Sequence, residues 1–98
     1  MGNSIQSARF LIESRLRDAA RGDSQALYDL GVAYSCGVGG VEIDLIEAHK
    51  WFNLAAVSGS EEATACRAEI AEEMTAREIA EAQRQARSWL GLHRRYAA

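Results

Sequence analysis

The stretch "YSCGVGGVEID", which runs from Tyr34 to Asp44, places three glycines within four positions and then leads into an amphipathic segment. Glycines clustered in this way form either a loop that cradles a phosphate group or a tight corner between two helices. A P-loop requires a preceding strand and a Gly-Lys-Ser/Thr sequence at the start of the next helix, and a dinucleotide-binding loop also follows a strand. Here the glycines follow a helical pattern, and neither a lysine nor a hydroxyl residue follows them. The stretch therefore predicts a corner between two helices.

The composition of the 98 residues favours helix along almost the whole chain. Proline is absent, alanine is abundant and β-branched residues are few. Alanine, leucine, glutamate, arginine and glutamine all have high helix propensity. We expect an all-α fold in a single domain, residues 1–98.

Amphipathic segments and capping signals predict five helices, arranged as antiparallel helix hairpins. Asp44 with Glu47, and Thr75 with Glu78, have the N-cap and N3 spacing of a capping box. Gly91 is the expected end of the last helix. The predicted helices cover about residues 4–21, 24–36, 45–58, 61–74 and 76–90.

The same segments predict which side chains are buried. Gly31 inside the second helix costs roughly 1 kcal/mol relative to alanine, which predicts the close approach of another backbone. Trp51 and Phe52 stand at helical spacing beside alanines and are expected in the core. His49 is expected to be partly exposed, and it points away from Glu47 because residues i and i+2 of a helix lie on different sides. The first helix carries an apolar stripe made of Ile5, Ala8, Ile12, Leu16 and Ala19, widened by Phe10 and Leu11.

The charge distribution argues against a nucleic-acid-binding protein. The formal net charge is −3, Lys50 is the single lysine, and only Arg94 and Arg95 stand next to each other among the basic residues. Nucleic-acid-binding proteins present a clustered basic surface, because neutralising phosphates supplies most of their affinity. We expect no nucleic-acid partner.

No segment of the sequence is typical of a targeting signal or a membrane span. The longest apolar run, Leu54 to Val57, is far too short to cross a bilayer. Arg9 and Glu13 interrupt the N-terminal apolar stretch before a signal-peptide core could form. We expect a cytoplasmic protein with no membrane partner.

The cysteines and histidines form no recognisable metal or catalytic motif. No His-Glu-x-x-His or Cys-x-x-Cys spacing occurs, and His49 lies far from His93. Cys36 and Cys66 are expected to be reduced thiols. No serine stands in a Gly-x-Ser-x-Gly elbow. We therefore expect no metal, no cofactor and no catalytic activity.

Two short segments repeat the same pattern at a fixed distance. "AARGDSQA" (Ala19 to Ala26) and "AVSGSEEA" (Ala56 to Ala63) each read as a helix end, a glycine, a capping residue and an alanine at the third helical position. The offset is 37 residues, which is the difference between positions 59 and 22 of the two glycines. A period of this size built from two helices indicates an α-solenoid.

The repeat and its surroundings resemble the Sel1-like repeat, a relative of the tetratricopeptide repeat. The match is most specific over residues 19–59, through "LGVAY", the glycine corner, an aspartate and "AHKWFNLAA". The ending "MTAREIAEAQRQARSWL" is also similar to the close of many small bacterial members. The residues that carry the resemblance are Gly22, Leu30, Gly31, Tyr34, Gly37, Gly39, Asp44, Ala48, Trp51, Ala55, Ala56 and Gly59.

The resemblance implies a short α–α superhelix that acts as an adaptor or scaffold in a bacterial cell. Two departures from the family pattern stand out. Gly40 is an insertion in the corner, and Arg67 with Ala68 replaces the usual leucine and glycine of a second repeat. The implied units are a capping helix (1–22), a complete repeat (23–59), a degenerate terminating repeat (60–92) and a tail (93–98).

A geometry of the tetratricopeptide type places one binding surface on the first helix of each pair. Aligning Gly31 with Ala68 assigns residues of both units to this concave surface. We expect a shallow acidic groove that binds a basic protein segment. The alternative is that its glutamates form only a solvated helix face. The assigned residues are Gln25, Tyr28, Val32 and Ser35 from the first unit, and Glu62, Ala65, Glu69, Glu72 and Glu73 from the second.

Two other functions stay open beside the protein-interaction module. One is a small regulatory subunit or an enzyme of unknown reaction. The other is a self-associating structural protein or homodimer, since one complete repeat is short for a solenoid. The residues that would either cap the fifth helix or pair with another copy are Trp89, Leu90, Leu92 and Tyr96.

Overall fold

The computed structural model describes the backbone of residues 3–97 and the side chains of residues 9–93. Every regular element in this part of the chain is an α-helix, which confirms the predicted all-α class and the number of five helices. The helices are α1 (Asn3–Ala20), α2 (Ser24–Cys36), α3 (Leu45–Val57), α4 (Glu61–Ala71) and α5 (Ala76–Ala97).

The two repeated corners have the same backbone geometry. Gly22 has φ 85° and Gly59 has φ 108°, both in the left-handed region that favours glycine. At each corner the glycine N–H bonds the carbonyl three residues back, and the next N–H bonds the carbonyl five residues back, at 2.9–3.2 Å. These are the two bonds of a Schellman motif. The residue after each glycine, Asp23 or Ser60, then caps the next helix through its side chain.

The helices α2 and α3 form an antiparallel pair across the glycine corner. Asp44 N–H donates to the carbonyl of Tyr34 at 2.9 Å, which ties the start of α3 to the end of α2. Further along, the Phe52 ring lies directly on Gly31, where an added Cβ would sit 2.5 Å from two ring atoms. Tyr28 packs against the same ring in a tilted arrangement, at 5.8 Å between centroids. The expectation of an approaching backbone at Gly31 is therefore wrong, since an aromatic side chain fills the space.

The central helix is α3, which packs against α2, α4 and α5. Trp51 and Phe52 are buried, as predicted. Trp89 of α5 meets Trp51 edge to face, at 5.8 Å between centroids. Contact between α4 and α5 is slight, so α5 packs on α3 instead of lying along α4. The small apolar side chains of α4 offer less contact area than the tryptophan of α3.

The helix α1 packs mainly on α2 and leaves much of its predicted apolar stripe uncovered. Ala19 is buried and Ile12 is partly buried. The stripe is wider than the contact with one neighbouring helix, so its margins face solvent. Ile5 and Ala8 lie outside the residues whose side chains are described. The exposed members are Phe10 (64%), Leu11 (48%) and Leu16 (39%).

The predicted end of α5 at Gly91 is wrong, because the helix continues to Ala97. Gly91 does not adopt a positive φ, so it does not act as a left-handed helix end. His93 continues the turn, with its ring stacked on Trp89 at 4.0 Å and its Nδ1 atom 2.9 Å from the Trp89 carbonyl. The predicted tail therefore begins inside a helix.

The two predicted capping boxes differ in the structure. Thr75 and Glu78 exchange both bonds, at 2.8 and 3.1 Å, and confirm the prediction. Asp44 accepts from the Glu47 N–H at 3.1 Å, but the Glu47 carboxylate does not return the bond. It accepts instead from Lys50 Nζ at 2.8 Å and from Trp51 Nε1 at 2.9 Å. The Glu47 carboxylate therefore bonds to side chains in the next turn of α3 instead of capping the helix.

Candidate functional site

The surface assigned from the sequence includes the place where α4 approaches α2. Cys66 Sγ lies 4.0 Å from Tyr28 Oη, at the limit of a weak hydrogen bond. This contact is the largest cause that raises the pKa of Tyr28, followed by burial and by the charges of Glu62 and Asp29. The α4 side that carries Glu62 is therefore adjacent to the α2 side that carries Tyr28.

The orientation of α4 is set by its contacts with α3. Ala63 is buried in the core, and Arg67 Nη1 donates to Oδ1 of Asn53 on α3. Helical geometry then turns the acidic residues of α4 outward or toward α2. The α4 helix ends at Ala71, so Glu72 and Glu73 lie in the turn that follows it instead of inside the predicted longer helix.

The structure leaves all nine assigned residues at least partly accessible, and we call this surface the α2–α4 face. On α2, Gln25 is exposed, whereas the other three side chains are half-buried. On α4 and the turn after it, all five residues are exposed. The members are Gln25, Tyr28, Val32, Ser35, Glu62, Ala65, Glu69, Glu72 and Glu73.

The α2–α4 face carries uncompensated negative charge. Within the described side chains, the ion pairs join Arg15 to Asp29, Lys50 to Glu47 and Arg84 to Glu81, and none includes a glutamate of this face. Arg67 is the one basic residue of α4, and it is turned to Asn53 on α3. A cationic ligand would therefore meet these carboxylates without displacing an ion pair among the described residues.

An apolar cleft on the α1 side of α2 was missed by the sequence analysis. It has a volume of about 290 Å³ and shares Val32 with the α2–α4 face. The Arg15–Asp29 ion pair, with Nε and Oδ2 3.0 Å apart, belongs to its lining. The available signal was Leu11, an apolar residue at the margin of a stripe that one neighbouring helix could not cover. The lining residues are Leu11, Ile12, Arg15, Asp29, Val32, Ala33, Val38 and Gly39.

Together the two surfaces suit an amphipathic ligand. The α2 side chains form a strip with carboxylates on one side and an apolar cleft on the other. Exposed ion pairs contribute about 0.2–1 kcal/mol each, which is too little for tight binding. Burial of apolar area contributes roughly 25 cal/mol per Å² and is the larger source of affinity. The arrangement fits a segment with basic side chains on one edge and an apolar anchor on the other.

His49 is buried, with 3% of its surface exposed, so the expected partial exposure is wrong. It lies on α3 where α4 covers it, and its Nδ1 atom has no hydrogen-bond partner among the described residues. Burial, followed by the charge of Arg67, lowers the pKa of His49. Glu47 bonds to Lys50 and Trp51 and gives His49 no orienting contact. The geometry offers no acid–base pair at this position.

The C-terminal residues expected to pair with another copy divide between two environments. Trp89 covers α3 through its contact with Trp51. Leu90 and Leu92 are exposed, and 73% of the Leu92 surface faces solvent. The side chain of Tyr96 lies outside the described residues. Leu92 also lines a shallow cleft of about 200 Å³ beside Lys50 and Arg84.

Comparison with known proteins assigns no function to the candidate site. No family model matches the chain, and no curated protein matches it. Among the described residues, no three His, Cys, Asp or Glu side chains are grouped so that they could hold a metal ion. No helix in this part of the chain is both long and apolar enough to cross a membrane.

Proposed function

We propose that this protein is a non-catalytic protein-interaction module, an adaptor or scaffold that binds a basic segment of another chain. The observation that carries the proposal is the exposed row of glutamates on α4 and the turn after it, of which Glu62 lies near Tyr28, with none of the four in an ion pair with a described residue. A row of unpaired carboxylates attracts a cationic partner and orients it on approach.

The apolar cleft supports the choice of a protein segment over a small cation. Val32 belongs both to the acidic face and to the cleft, so one ligand can contact both. Recognition of a helix in a groove uses apolar anchors at helical spacing, with charged residues on the flanks. The ligand we propose therefore has lysines or arginines on one side and a large apolar residue on the other.

The repeated corners support the resemblance to Sel1-like repeats as part of this proposal. Identical Schellman geometry recurs at Gly22 and Gly59, and each corner leads into a side-chain cap. In the tetratricopeptide type the first helix of each pair contributes to the binding surface, although here α5 packs on α3 and makes only slight contact with α4. We extend that use to α2 and α4 here.

The proposal is tested by binding of a defined peptide. The probe is a synthetic helical peptide with lysines on one side and leucines on the other, and isothermal titration calorimetry measures its affinity. The variant Glu69→Lys with Glu72→Lys should lose binding, because two attractive contacts become repulsive. The matched control is Glu13→Lys with Glu42→Lys, which makes the same change in net charge at exposed positions outside the α2–α4 face.

The control variant is expected to keep most of the wild-type affinity. A peptide with glutamate in place of lysine is expected not to bind. If both protein variants weaken binding equally, the interaction depends only on net charge, and the proposed site is wrong.

A further inference from the structure

The side of α1 turned away from α2 carries exposed apolar and basic residues. Phe10 lies at its centre, with the guanidinium of Arg17 at 6.0 Å from the ring centroid. Arg9 and Arg21 are exposed on the same side, together with Glu13. Ion pairs among the described side chains include none of these four charged residues. This face therefore combines one large apolar side chain with a local excess of positive charge.

The exposed face of α1 has the chemistry that the proposed function requires of its ligand. An aromatic anchor lies between arginines on a helix, and the α2–α4 face offers glutamates beside an apolar cleft. We propose that α1 of one copy docks on the α2–α4 face of a second copy. This inference rests on the proposed function, because it names the occupant of the same surface.

Within one chain, the exposed face of α1 cannot contact the α2–α4 face. The ion pair between Arg15 and Asp29 holds α1 against its own α2, and the side with Phe10 points away from it. Glu62 of α4 lies on the opposite flank of α2, near Tyr28. The two faces meet only when they belong to different copies.

Opposite charges specify this occupant. The exposed face of α1 and the turn after it carry three arginines and one glutamate, whereas the α2–α4 face carries four glutamates. Phe10 supplies the apolar anchor for the cleft that includes Val32 and Val38. Pairing α1 with a second α1 would instead bring arginines together, and like charges in contact disfavour such an arrangement.

The contact joins two different surfaces, so it is heterologous. Each added copy leaves one face of each kind free, and such contacts generate rings or open chains of subunits. The mass of the assembly should therefore rise with protein concentration and fall with salt, since screening weakens the pairing of exposed charges.

The test is sedimentation equilibrium of the full chain from micromolar to millimolar concentration. One variant carries Arg9→Glu with Arg17→Glu, and the other carries Glu69→Lys with Glu72→Lys. Each variant alone is expected to sediment as a monomer, because the first makes both faces negative and the second leaves the α2–α4 face without net charge. A mixture of the two is expected to form a complex of two chains that does not grow further. A chain with all four substitutions is expected to stay monomeric, because its α1 face is negative and its α2–α4 face has no net charge.

Circular dichroism of each variant confirms that the helices remain intact. A wild-type protein that stays monomeric over the whole range overturns this inference, and so does association that neither charge swap changes. A monomeric wild type that still binds the lysine–leucine peptide separates the two proposals, since the binding module then stands and only its occupant is wrong. A wild type that neither self-associates nor binds the peptide overturns both proposals.

Discussion

The absence of a Cβ atom at Gly31 allows α2 and α3 to pack closely. The Phe52 ring occupies the place where a side chain at position 31 would lie, and Phe52 is itself fully buried. A ring held in a close-packed core has no free space to move into. Gly31 is therefore a packing requirement and not a flexible point in the helix.

The variant Gly31→Ala is expected to lower the free energy of unfolding by about 1–3 kcal/mol, through overpacking against Phe52. This is the reverse of the helix-propensity effect, which favours alanine by roughly 1 kcal/mol. Urea unfolding measures the change.

Gly91→Ala is the matched control, because no atom lies within 4 Å of the added Cβ in that helix. It is expected to stabilise the protein by about 0.5–1 kcal/mol. Equal signs for the two variants would contradict the packing role of Gly31.

The buried histidine makes the stability depend on pH. The folded pKa of His49 lies below its ordinary value of 6.5, so the unfolded chain binds the proton more strongly. The stability is therefore fully present above pH 6.5 and decreases as the pH falls below it toward the folded pKa. Glu81 does not titrate in this window, because hydrogen bonds from Arg84 and Gln85 lower its pKa to about 2.

Unfolding by urea at about pH 7.5 and about pH 5.5 measures this effect, and the wild type is expected to be less stable at the lower pH. His49→Leu is expected to remove the difference. It should also raise stability by about 1 kcal/mol at neutral pH, since it deletes a buried polar atom without a partner. A pH dependence that persists in His49→Leu would assign the effect to another group.

At the scale of the helix, the predictions that held are those with a purely local cause. Gly22 and Gly59 adopt left-handed backbone, and Asp23 and Ser60 cap the helices that follow. Each of these depends on a few neighbouring residues, which the sequence displays directly. Gly91 does not end its helix as predicted, because α5 continues through it.

The predictions that failed depend on which helix covers which side. His49 is buried on the central helix α3, within reach of the charge of Arg67 on α4, and Leu11 is exposed because α1 has one main neighbour. Periodicity predicts the apolar side of a helix but not how much of that side its neighbours cover. The neighbour of α1 covers only part of the apolar stripe, and the cleft beside Leu11 is the part left open.

The two repeated caps should differ in strength. Asp23 accepts from two backbone N–H groups, at 2.9 and 3.2 Å, whereas Ser60 accepts from one, at 3.2 Å. Asp23→Ala and Ser60→Ala are each expected to lower the free energy of unfolding by about 0.5–2 kcal/mol, with the larger loss at Asp23. Ser88→Ala, at an exposed position inside α5, is the control and is expected to have almost no effect. Equal changes in all three variants, measured by urea unfolding, would contradict the capping role.

The molecule is only two helix layers thick and carries opposite charges on α1 and α4, and both features leave surface exposed for binding. The molecule measures 41 × 35 × 21 Å, and its shortest dimension corresponds to two layers of helices, each roughly 10 Å thick. A repeat protein normally ends in helices with polar outer faces. Here the terminal helices expose Phe10 and Leu92 instead. The net charge of −3 conceals a basic α1 and an acidic α4.

The measurement that most directly tests the proposed interaction surface is a nuclear magnetic resonance titration of the isotope-labelled protein with the lysine–leucine peptide. Amide shifts report each backbone position, so they locate the contact without a mutation. The account predicts the largest shifts at Gln25, Tyr28 and Val32 and across residues 62–73, with smaller shifts at Leu11. Shifts confined to the α3–α5 side around Trp89, or no shifts at all, would contradict the assignment of the α2–α4 face as the binding surface.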